Sequence, residues 1–270
     1  MKLKDKVFVV TGGGNGVGRE LVFNLLAKGA RVAAVDINLR ALEETADCSG
    51  EYKDKLTTHE ANVADLKSIA SLAEQIITKH GAVDGIINNA GIIQPFLDVI
   101  NTSFDTAQRV ISINFYGALN MVKTFLPYLC IRPEAYIINV SSSGALTPVP
   151  GQTIYGASKA AVKVLTEGLR SELKNTKVRV MTVFPGGISS NIIDNSGVQT
   201  NMREAELRKK FSFLLLTPQK TANIIISGII RNRSRLTPGI DACMMDFFCR
   251  LSPVFAPRMI YKIINAVLQQ

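Results

Sequence analysis

Short β-branched runs alternate with amphipathic runs along most of the chain, and this alternation restricts the fold more than any other feature. Residues 6–11 and 31–36 are typical of strands because they are largely apolar, and residues 83–91 are typical of a strand that runs into a turn. The runs between them place apolar residues at helical spacing. Buried strands that alternate with helices predict a parallel sheet with right-handed crossovers. We therefore expect an α/β fold, a doubly wound parallel sheet of Rossmann type with helices on both faces.

Length and composition are compatible with one large core. The chain has 270 residues, of which 47% are hydrophobic and 20% are charged. One α/β domain or two smaller domains would suit this length. No linker-like or low-complexity stretch divides the sequence, so we predict a single domain over residues 1–270.

The sequence lacks the marks of secretion, membrane spanning and metal binding. It has no signal-like run and no apolar run of about 20 residues, the length that crosses a bilayer. Its four cysteines show no Cys-x-x-Cys spacing, and its two histidines lie in unrelated surroundings. We expect reduced thiols, a cytoplasmic location and no metal site.

The stretch TGGGNGVG, residues 11–18, follows the first predicted strand and opens the first predicted helix. Its glycines do not fit the common G-x-G-x-x-G pattern. They fit G-x-x-x-G-x-G. An isolated stretch of this kind could be a plain glycine turn. Its place between strand and helix favours a phosphate-binding loop, because glycine lets backbone N–H groups approach a pyrophosphate. The predicted loop residues are Gly12, Gly14, Asn15, Gly16, Val17 and Gly18.

Asp36 ends the second predicted strand, about 20 residues beyond the loop, where an acidic residue can bind ribose hydroxyls. A carboxylate at this position repels a 2′-phosphate, so NAD(H) is favoured over NADP(H). A helix N-cap is the alternative interpretation of Asp36. Arg19 and Arg40 are candidate partners for a phosphate.

Tyr155 and Lys159 are four residues apart in a predicted helix and therefore share one face. A nearby ammonium favours the phenolate and lowers the pKa of a tyrosine from its usual value near 10. Tyr155 could then exchange a proton with an alcohol or carbonyl oxygen. Ser142 follows the preceding strand and could hydrogen-bond the same oxygen.

Taken together, these motifs closely resemble the short-chain dehydrogenase/reductase family in its short single-domain branch. They occur in the family's order, with Asn114 between the glycine loop and the tyrosine and with Pro185 after both. The resemblance implies Tyr155 as acid/base, with Lys159 lowering its pKa and binding the nicotinamide ribose. It implies that Ser142 orients the substrate and that Asn114 holds a water in a proton relay. Further cofactor contacts that it implies are Asn62, Val63, Asn89, Ala90, Gly91, Pro185, Gly186, Ile188 and Ser190.

The resemblance also implies a substrate lid over residues 188–216. Apolar residues there and after Gly91 suggest a lipophilic secondary alcohol or ketone, with Ile93, Phe96 and Ile192 as contacts. The alternative is that these side chains only pack the lid against the body.

The positive charge is concentrated near the C-terminus. The net charge is +9, and residues 201–270 hold 11 basic and 4 acidic residues. Residues 240–270 form an apolar and basic extension that could lie on a membrane surface or cover a subunit interface. Nucleic-acid binding is not expected, because basic runs with interleaved aromatics are absent. The resemblance implies a homodimer or homotetramer.

The predicted activity is hydride transfer between a nicotinamide cofactor and a secondary alcohol or ketone. An enoyl reductase is disfavoured, because those relatives place the lysine farther from the tyrosine. The alternative is a non-catalytic nucleotide sensor or scaffold on the same fold.

Overall fold

A computed structural model describes residues 2–147, 149–189, 192, 196 and 215–268. The described strands form one parallel sheet in the order β3-β2-β1-β4-β5-β6-β7. This sheet confirms the predicted doubly wound Rossmann-type fold. The strands are β1 Val7–Thr11, β2 Arg31–Asp36, β3 Leu56–Glu60, β4 Gly85–Asn88, β5 Ala135–Val140, β6 Val178–Val183 and β7 Arg235–Leu236.

Helices cover both faces of the sheet. They are α1 Gly16–Ala27, α2 Leu39–Asp47, α3 Leu66–His80, α4 Phe104–Ile111, α5 Gly117–Cys130, α6 Thr153–Glu172, α7 Pro218–Ile230, α8 Ile240–Leu251 and α9 Phe255–Leu268. One core lies between the sheet and α1 with α7, where Leu25 packs near Ile226. The other lies against α3 and α5, around Ile76 and Phe125. Alternate strand side chains enter opposite cores, as buried parallel strands require.

Capping residues set where several helices begin and end. The Asn38 side chain accepts from the Ala41 N–H and opens α2, and Asp65 does the same for α3 through the Lys67 N–H. Gly81 ends α3 with φ of 80°, a left-handed conformation that glycine adopts without strain. Thr217 caps α7, whose first residue is Pro218. The capping chemistry is local, so these boundaries follow from sequence.

The strand order reverses between β1 and β4, and this position fixes where a ligand can bind. The chain runs outward from β1 through β2 to β3, and then returns to place β4 on the other side of β1. The loops after β1 and β4 therefore leave the sheet in opposite directions and open a crevice at its carboxyl edge. Among the described residues, no helix is long and apolar enough to span a bilayer.

Candidate active site

The glycine loop lies at the crevice and is held in a conformation that only glycine fits. Gly12 has φ of 70°. A Cβ on Gly18 would lie 1.9 Å from the Gly12 carbonyl oxygen, which is far inside van der Waals contact. The Gly13 N–H donates to the Val35 carbonyl at 3.0 Å, which ties the loop to β2. The result is a buried to half-buried backbone bend at the N-terminus of α1, the arrangement that suits a pyrophosphate.

Asp36 lies beside this loop and does not cap a helix. One carboxylate oxygen accepts from the Gly14 N–H at 3.0 Å, and the other accepts from the Asn38 N–H at 3.1 Å. Because Asn38 itself caps α2, the N-cap interpretation of Asp36 is wrong. The carboxylate stands at the carboxyl end of β2, within reach of whatever the loop binds.

The two arginines considered as phosphate partners differ in their availability. The Arg19 guanidinium donates to the Gly14 carbonyl at 2.9 Å and to Glu44 at 3.0 Å, so it serves to brace the loop against α2. Arg40 has a side chain that is 90% exposed, with only a loose 3.9 Å approach to Glu44. Of the two, Arg40 is the one that can still turn toward a ligand.

Thr11 joins the two sides of the crevice. Its hydroxyl oxygen accepts from the Asn89 N–H at 3.0 Å and from the Ala90 N–H at 3.1 Å, while the Asn89 amide donates back to the Thr11 carbonyl. Thr11 is 2% exposed. It was part of the sequence motif without an assigned role, and its role here is to hold the end of β4 against the glycine loop.

Asn62 and Val63 lie just beyond β3, on the same edge of the sheet. The Asn62 side chain is exposed and accepts from the Ala64 N–H at 3.0 Å. The Val63 side chain is buried, and its carbonyl accepts from the Asn120 amide at 3.0 Å. Both residues therefore stand at the edge where the predicted cofactor contacts converge.

Asn114 lies inside a π-helical turn, Ser112–Tyr116, which separates α4 from α5. The Asn114 amide oxygen accepts from the Ile92 N–H at 2.9 Å, and its nitrogen donates to the Ile92 carbonyl at 3.0 Å. The same nitrogen donates to the Ser158 hydroxyl at 2.9 Å. These long-range bonds favour the wider turn, which single-sequence periodicity does not report.

Ser142, Tyr155 and Lys159 come together at the carboxyl end of β5. The Lys159 ammonium donates to the Val140 carbonyl at 3.1 Å, and the Ser141 hydroxyl donates to the Lys159 carbonyl at 2.7 Å. The Ser142 hydroxyl and the Tyr155 ring both lie within 4 Å of the position that a Cβ on Gly144 would take. Lys159 is 5% exposed, and its ammonium also lies against Gly91.

The pKa values of Tyr155 and Lys159 are both dominated by burial. Burial raises the pKa of the Tyr155 phenol, and the Ser142 hydrogen bond opposes this rise. Burial lowers the pKa of Lys159 to about 8. The sequence had predicted a Tyr155 pKa lowered by Lys159. The Tyr155 pKa is raised and not lowered, because the free-energy cost of charging a buried phenol or a buried ammonium exceeds the attraction between the two charges.

Gln94 is a residue of this site that sequence reasoning missed. It is fully buried, and its side-chain oxygen accepts from the Tyr155 N–H at 2.9 Å. Its own carbonyl accepts from the Gln152 amide at 2.7 Å. Gln94 thus fixes the first turn of α6, the turn that carries Tyr155. A glutamine beside a Pro in a predicted loop carries no local signal of such a role.

The loop after β6 is held by the C-terminal part of the chain. The Pro185 carbonyl accepts from the Ser143 N–H at 2.9 Å, next to Ser142. The Gly187 N–H donates to the Asp241 carboxylate at 2.7 Å, and a Cβ on Gly186 would lie 2.1 Å from the same carboxylate. Asp241 was also missed, because it acts on a loop 54 positions earlier.

Part of the predicted lid region can be placed. Ile188 forms a short parallel bridge with Leu216. The Ser196 hydroxyl accepts from the Ile93 N–H at 3.0 Å and donates to the Ile192 carbonyl at 2.6 Å, so these two predicted substrate contacts are neighbours. Phe96 lies alongside Gly151, near the start of α6. Ser190 and most of residues 188–216 lie outside the described residues.

The donor set of the site fits a nucleotide better than a metal ion. Within the described part of the chain, no three His, Cys, Asp or Glu side chains are placed to hold a metal. The glycine bend, the Asp36 carboxylate and the Asn89–Gly91 segment surround one crevice instead. A loop in which added Cβ atoms would collide is a cradle for a ligand that approaches the backbone closely.

Comparison with known proteins identifies the family. The chain matches the short chain dehydrogenase family over residues 6–201. It therefore belongs to the short-chain dehydrogenase/reductase family, a family of oxidoreductases that bind a nicotinamide nucleotide and a small-molecule substrate.

Two relatives and one solved structure show how close the likeness is. The chain is 31% identical over 252 residues to SadH of Mycobacterium tuberculosis, to which an oxidoreductase activity is ascribed, and the match covers 92% of this chain and 91% of SadH. It is 30% identical over 226 residues to the 3-oxoacyl-[acyl-carrier-protein] reductase FabG of Thermotoga maritima, with coverage of 84% and 91%. A Burkholderia phymatum short-chain dehydrogenase/reductase in complex with NAD has the same fold, with a TM-score of 0.81, 23% identity, and coverage of 88% and 90%.

Proposed function

We propose that the chain is an NAD(H)-dependent oxidoreductase that interconverts a secondary alcohol and a ketone. The observation that carries this proposal is the convergence of a serine hydroxyl, a tyrosine phenol and a buried lysine beside a glycine loop. Ser142 and Tyr155 both lie beside Gly144, and Lys159 lies on the same helix as Tyr155, one turn further along α6. A protein that only bound a nucleotide would have no use for this group of side chains.

Each residue of the group has a distinct part in the proposed reaction. When bound, the cofactor accepts or supplies the hydride at the carbinol carbon. Tyr155 takes the hydroxyl proton during alcohol oxidation and returns it to the carbonyl oxygen during ketone reduction. The Ser142 hydroxyl donates to the same substrate oxygen and stabilises negative charge as it develops there.

Lys159 and Asn114 support Tyr155 in this proposal. The Lys159 ammonium favours the phenolate over the phenol electrostatically and lies where it can bind the ribose next to the nicotinamide. Asn114 is joined to α6 through Ser158, whose hydroxyl donates to the Tyr155 carbonyl at 2.7 Å. We propose that Asn114 anchors a water that relays protons from Lys159 to solvent.

The direction of the pKa shifts predicts opposite pH profiles for the two reactions. Burial raises the pKa of Tyr155, so the phenol is protonated at neutral pH and the phenolate forms only in the alkaline range. Alcohol oxidation needs the phenolate, so kcat/KM should rise as pH increases from 7 toward 8, the range in which Lys159 keeps its charge. Ketone reduction needs the phenol, so it should stay level at neutral pH and fall only at high pH. Initial rates in both directions test this, and an oxidation rate that declines from pH 7 to pH 8 would contradict it.

Asp36 should set the preference for NAD(H), and this can be tested by removing its charge. Asp36→Asn removes the negative charge and keeps one of the two acceptor oxygens, so only one of the Gly14 and Asn38 N–H groups retains its partner. We expect the ratio of kcat/KM for NADP to that for NAD to rise roughly tenfold, equivalent to about 1.4 kcal/mol. Glu60→Gln is the matched control, because Glu60 ends the neighbouring strand in register with Asp36. If Glu60→Gln raises this ratio as much as Asp36→Asn does, the effect comes from the overall charge of the protein and not from the position of Asp36.

We propose a lipophilic substrate, on the basis of the neighbouring Ile93 and Ile192 at the entrance and of Phe96 nearby. A panel of secondary alcohols and ketones, from acetoin through long-chain to steroid substrates, tests this class. A 3-oxoacyl thioester belongs in the panel because the Thermotoga relative is named for that substrate. Activity confined to small polar sugars would overturn the proposal.

We also propose that the chain forms a homodimer or homotetramer, as the family resemblance implies. Mass photometry of the full chain measures this directly. A mass equal to the 29.4 kDa chain would contradict it.

A further inference from the structure

Helix α8 exposes an apolar stripe along its whole length. Its members recur three or four positions apart, so they share one helix face. Between 36% and 72% of each side chain is exposed. They are Ile240, Met244, Phe247, Phe248 and Leu251. An exposed stripe of this size is unusual for a globular protein and marks a surface that contacts something apolar.

Two further exposed apolar side chains follow the end of α8 in the sequence. Val254 is 64% exposed, and Phe255, the first residue of α9, is 63% exposed. We refer to the five residues of the stripe together with Val254 and Phe255 as the C-terminal apolar face. It is rich in aromatic and aliphatic side chains, the types that enter the boundary between lipid head groups and acyl chains.

The acidic residues of α8 are engaged within the protein. Asp241 accepts from the Gly187 N–H, as described above, and Asp246 pairs with Arg235 at 2.7 Å and with Arg250 at 3.0 Å. Their carboxylates therefore do not place free negative charge beside the apolar face.

Positive charge flanks the face instead. After Asp246 the sequence has no acidic residue up to its end, and it has Arg250, Arg258 and Lys262. Arg258 and Lys262 are exposed on α9. An apolar surface with a cationic rim is complementary to a bilayer surface that carries negative head groups.

We propose that the C-terminal apolar face docks on the surface of a membrane containing anionic lipids. The apolar side chains enter the acyl boundary, and Arg258 and Lys262 contact the head groups. A second copy of this chain would fit the face less well than an anionic membrane, because the positively charged residues of the two copies would then lie against each other.

Docking in this way would place the candidate active site beside the lipid phase. At the edge of the stripe, Asp241 of α8 holds the loop after β6, and Cys249 on the other side of α8 hydrogen-bonds Thr147 in the turn that follows Ser142. A lipophilic substrate could then pass from the bilayer into the site. This last consequence rests on the proposed function, whereas the docking itself does not.

Vesicle co-sedimentation of the full chain tests the docking. The vesicles are phosphatidylcholine alone, and phosphatidylcholine with about a third phosphatidylglycerol. We expect binding to the anionic vesicles only, weakened at 1 M salt, where the screening length falls from about 10 Å to about 3 Å. Phe247→Asp should lower the affinity for anionic vesicles roughly tenfold or more. Phe104→Asp is the matched control and should bind like the parent chain, because Phe104 is 93% exposed on α4, outside the C-terminal apolar face.

The possible results separate membrane docking from a contact between copies of the chain and from failure of the proposed enzymatic function. Absence of binding by the parent chain, or equal loss in both variants, would overturn it. A fall in oligomer mass for Phe247→Asp without vesicle binding by the parent would show that the face joins copies of the chain. NADH binding, followed by fluorescence, should be unchanged in Phe247→Asp. Vesicle binding without any turnover would contradict the proposed function and leave the docking intact.

Discussion

Tyr155→Phe should reduce kcat by a factor of roughly 10²–10⁴ and leave NADH affinity unchanged. The substitution removes only the phenolic oxygen, which is the atom proposed to carry the proton and whose pKa the Ser142 side chain lowers. The backbone contact that positions the residue, from the Tyr155 N–H to Gln94, does not depend on that oxygen. Steady-state kinetics and NADH titration by fluorescence measure the two effects separately.

The matched control for this prediction is Tyr136→Phe. Tyr136 is also buried, and its hydroxyl donates to Glu134 at 2.9 Å, near the start of β5 and so away from the carboxyl edge of the sheet. Turnover that survives Tyr155→Phe would remove the acid/base assignment and favour the alternative of a non-catalytic sensor or scaffold. An equal loss in both variants would point to general disruption of the core.

Local patterns in the sequence were sufficient to predict the fold and the frame of the site. The spacing of Gly12, Gly16 and Gly18 between a strand and a helix predicted the loop. A tight backbone bend needs glycine at fixed positions, because a larger side chain would clash there. The four-residue step from Tyr155 to Lys159 predicted a shared helix face for the same kind of reason. These inferences need only neighbouring residues and the periodicity of the element.

Long-range contacts account for what could not be predicted. Asp241 reaches the loop after β6 from a helix far along the chain, and Gln94 braces the start of α6 from a different loop. Asn114 sits in a π-helical turn whose bonds to Ile92 depend on how the loop after β4 folds back. None of these pairings leaves a local pattern in the sequence.

The pKa of Tyr155 illustrates a second limit. A tyrosine and a lysine one helical turn apart predicted attraction between their charges, which sequence spacing can report. Burial of both groups opposes that attraction, and burial is a property of the assembled core. Similarly, a helix N-cap was an open interpretation of Asp36, and only the course of the chain after β2 shows that Asn38 caps α2.

Gly18→Ala should abolish most NADH binding, because the added methyl group cannot be accommodated without moving the glycine loop. Its Cβ would lie 1.9 Å from the Gly12 carbonyl oxygen and 2.7 Å from the Asn89 amide nitrogen. The strain, of about 1–3 kcal/mol, is relieved by displacing the loop from the geometry that the cofactor needs. We expect the NADH dissociation constant to rise roughly 10- to 100-fold. Titration by fluorescence, and thermal melting with and without NADH, measure this loss.

Gly168→Ala is the control that separates loop geometry from the general cost of replacing a helical glycine. Gly168 is exposed on α6, and an added Cβ there meets nothing within 4 Å. Alanine also has the higher helix propensity, so this variant should be more stable by up to about 1 kcal/mol and bind NADH normally. If Gly18→Ala fails to fold, Gly14→Ala gives the milder test, since its φ is not in the left-handed region and its closest contact is the Ala41 side chain at 2.9 Å. Normal NADH affinity in a folded Gly18→Ala chain would mean that the loop does not form the cofactor site.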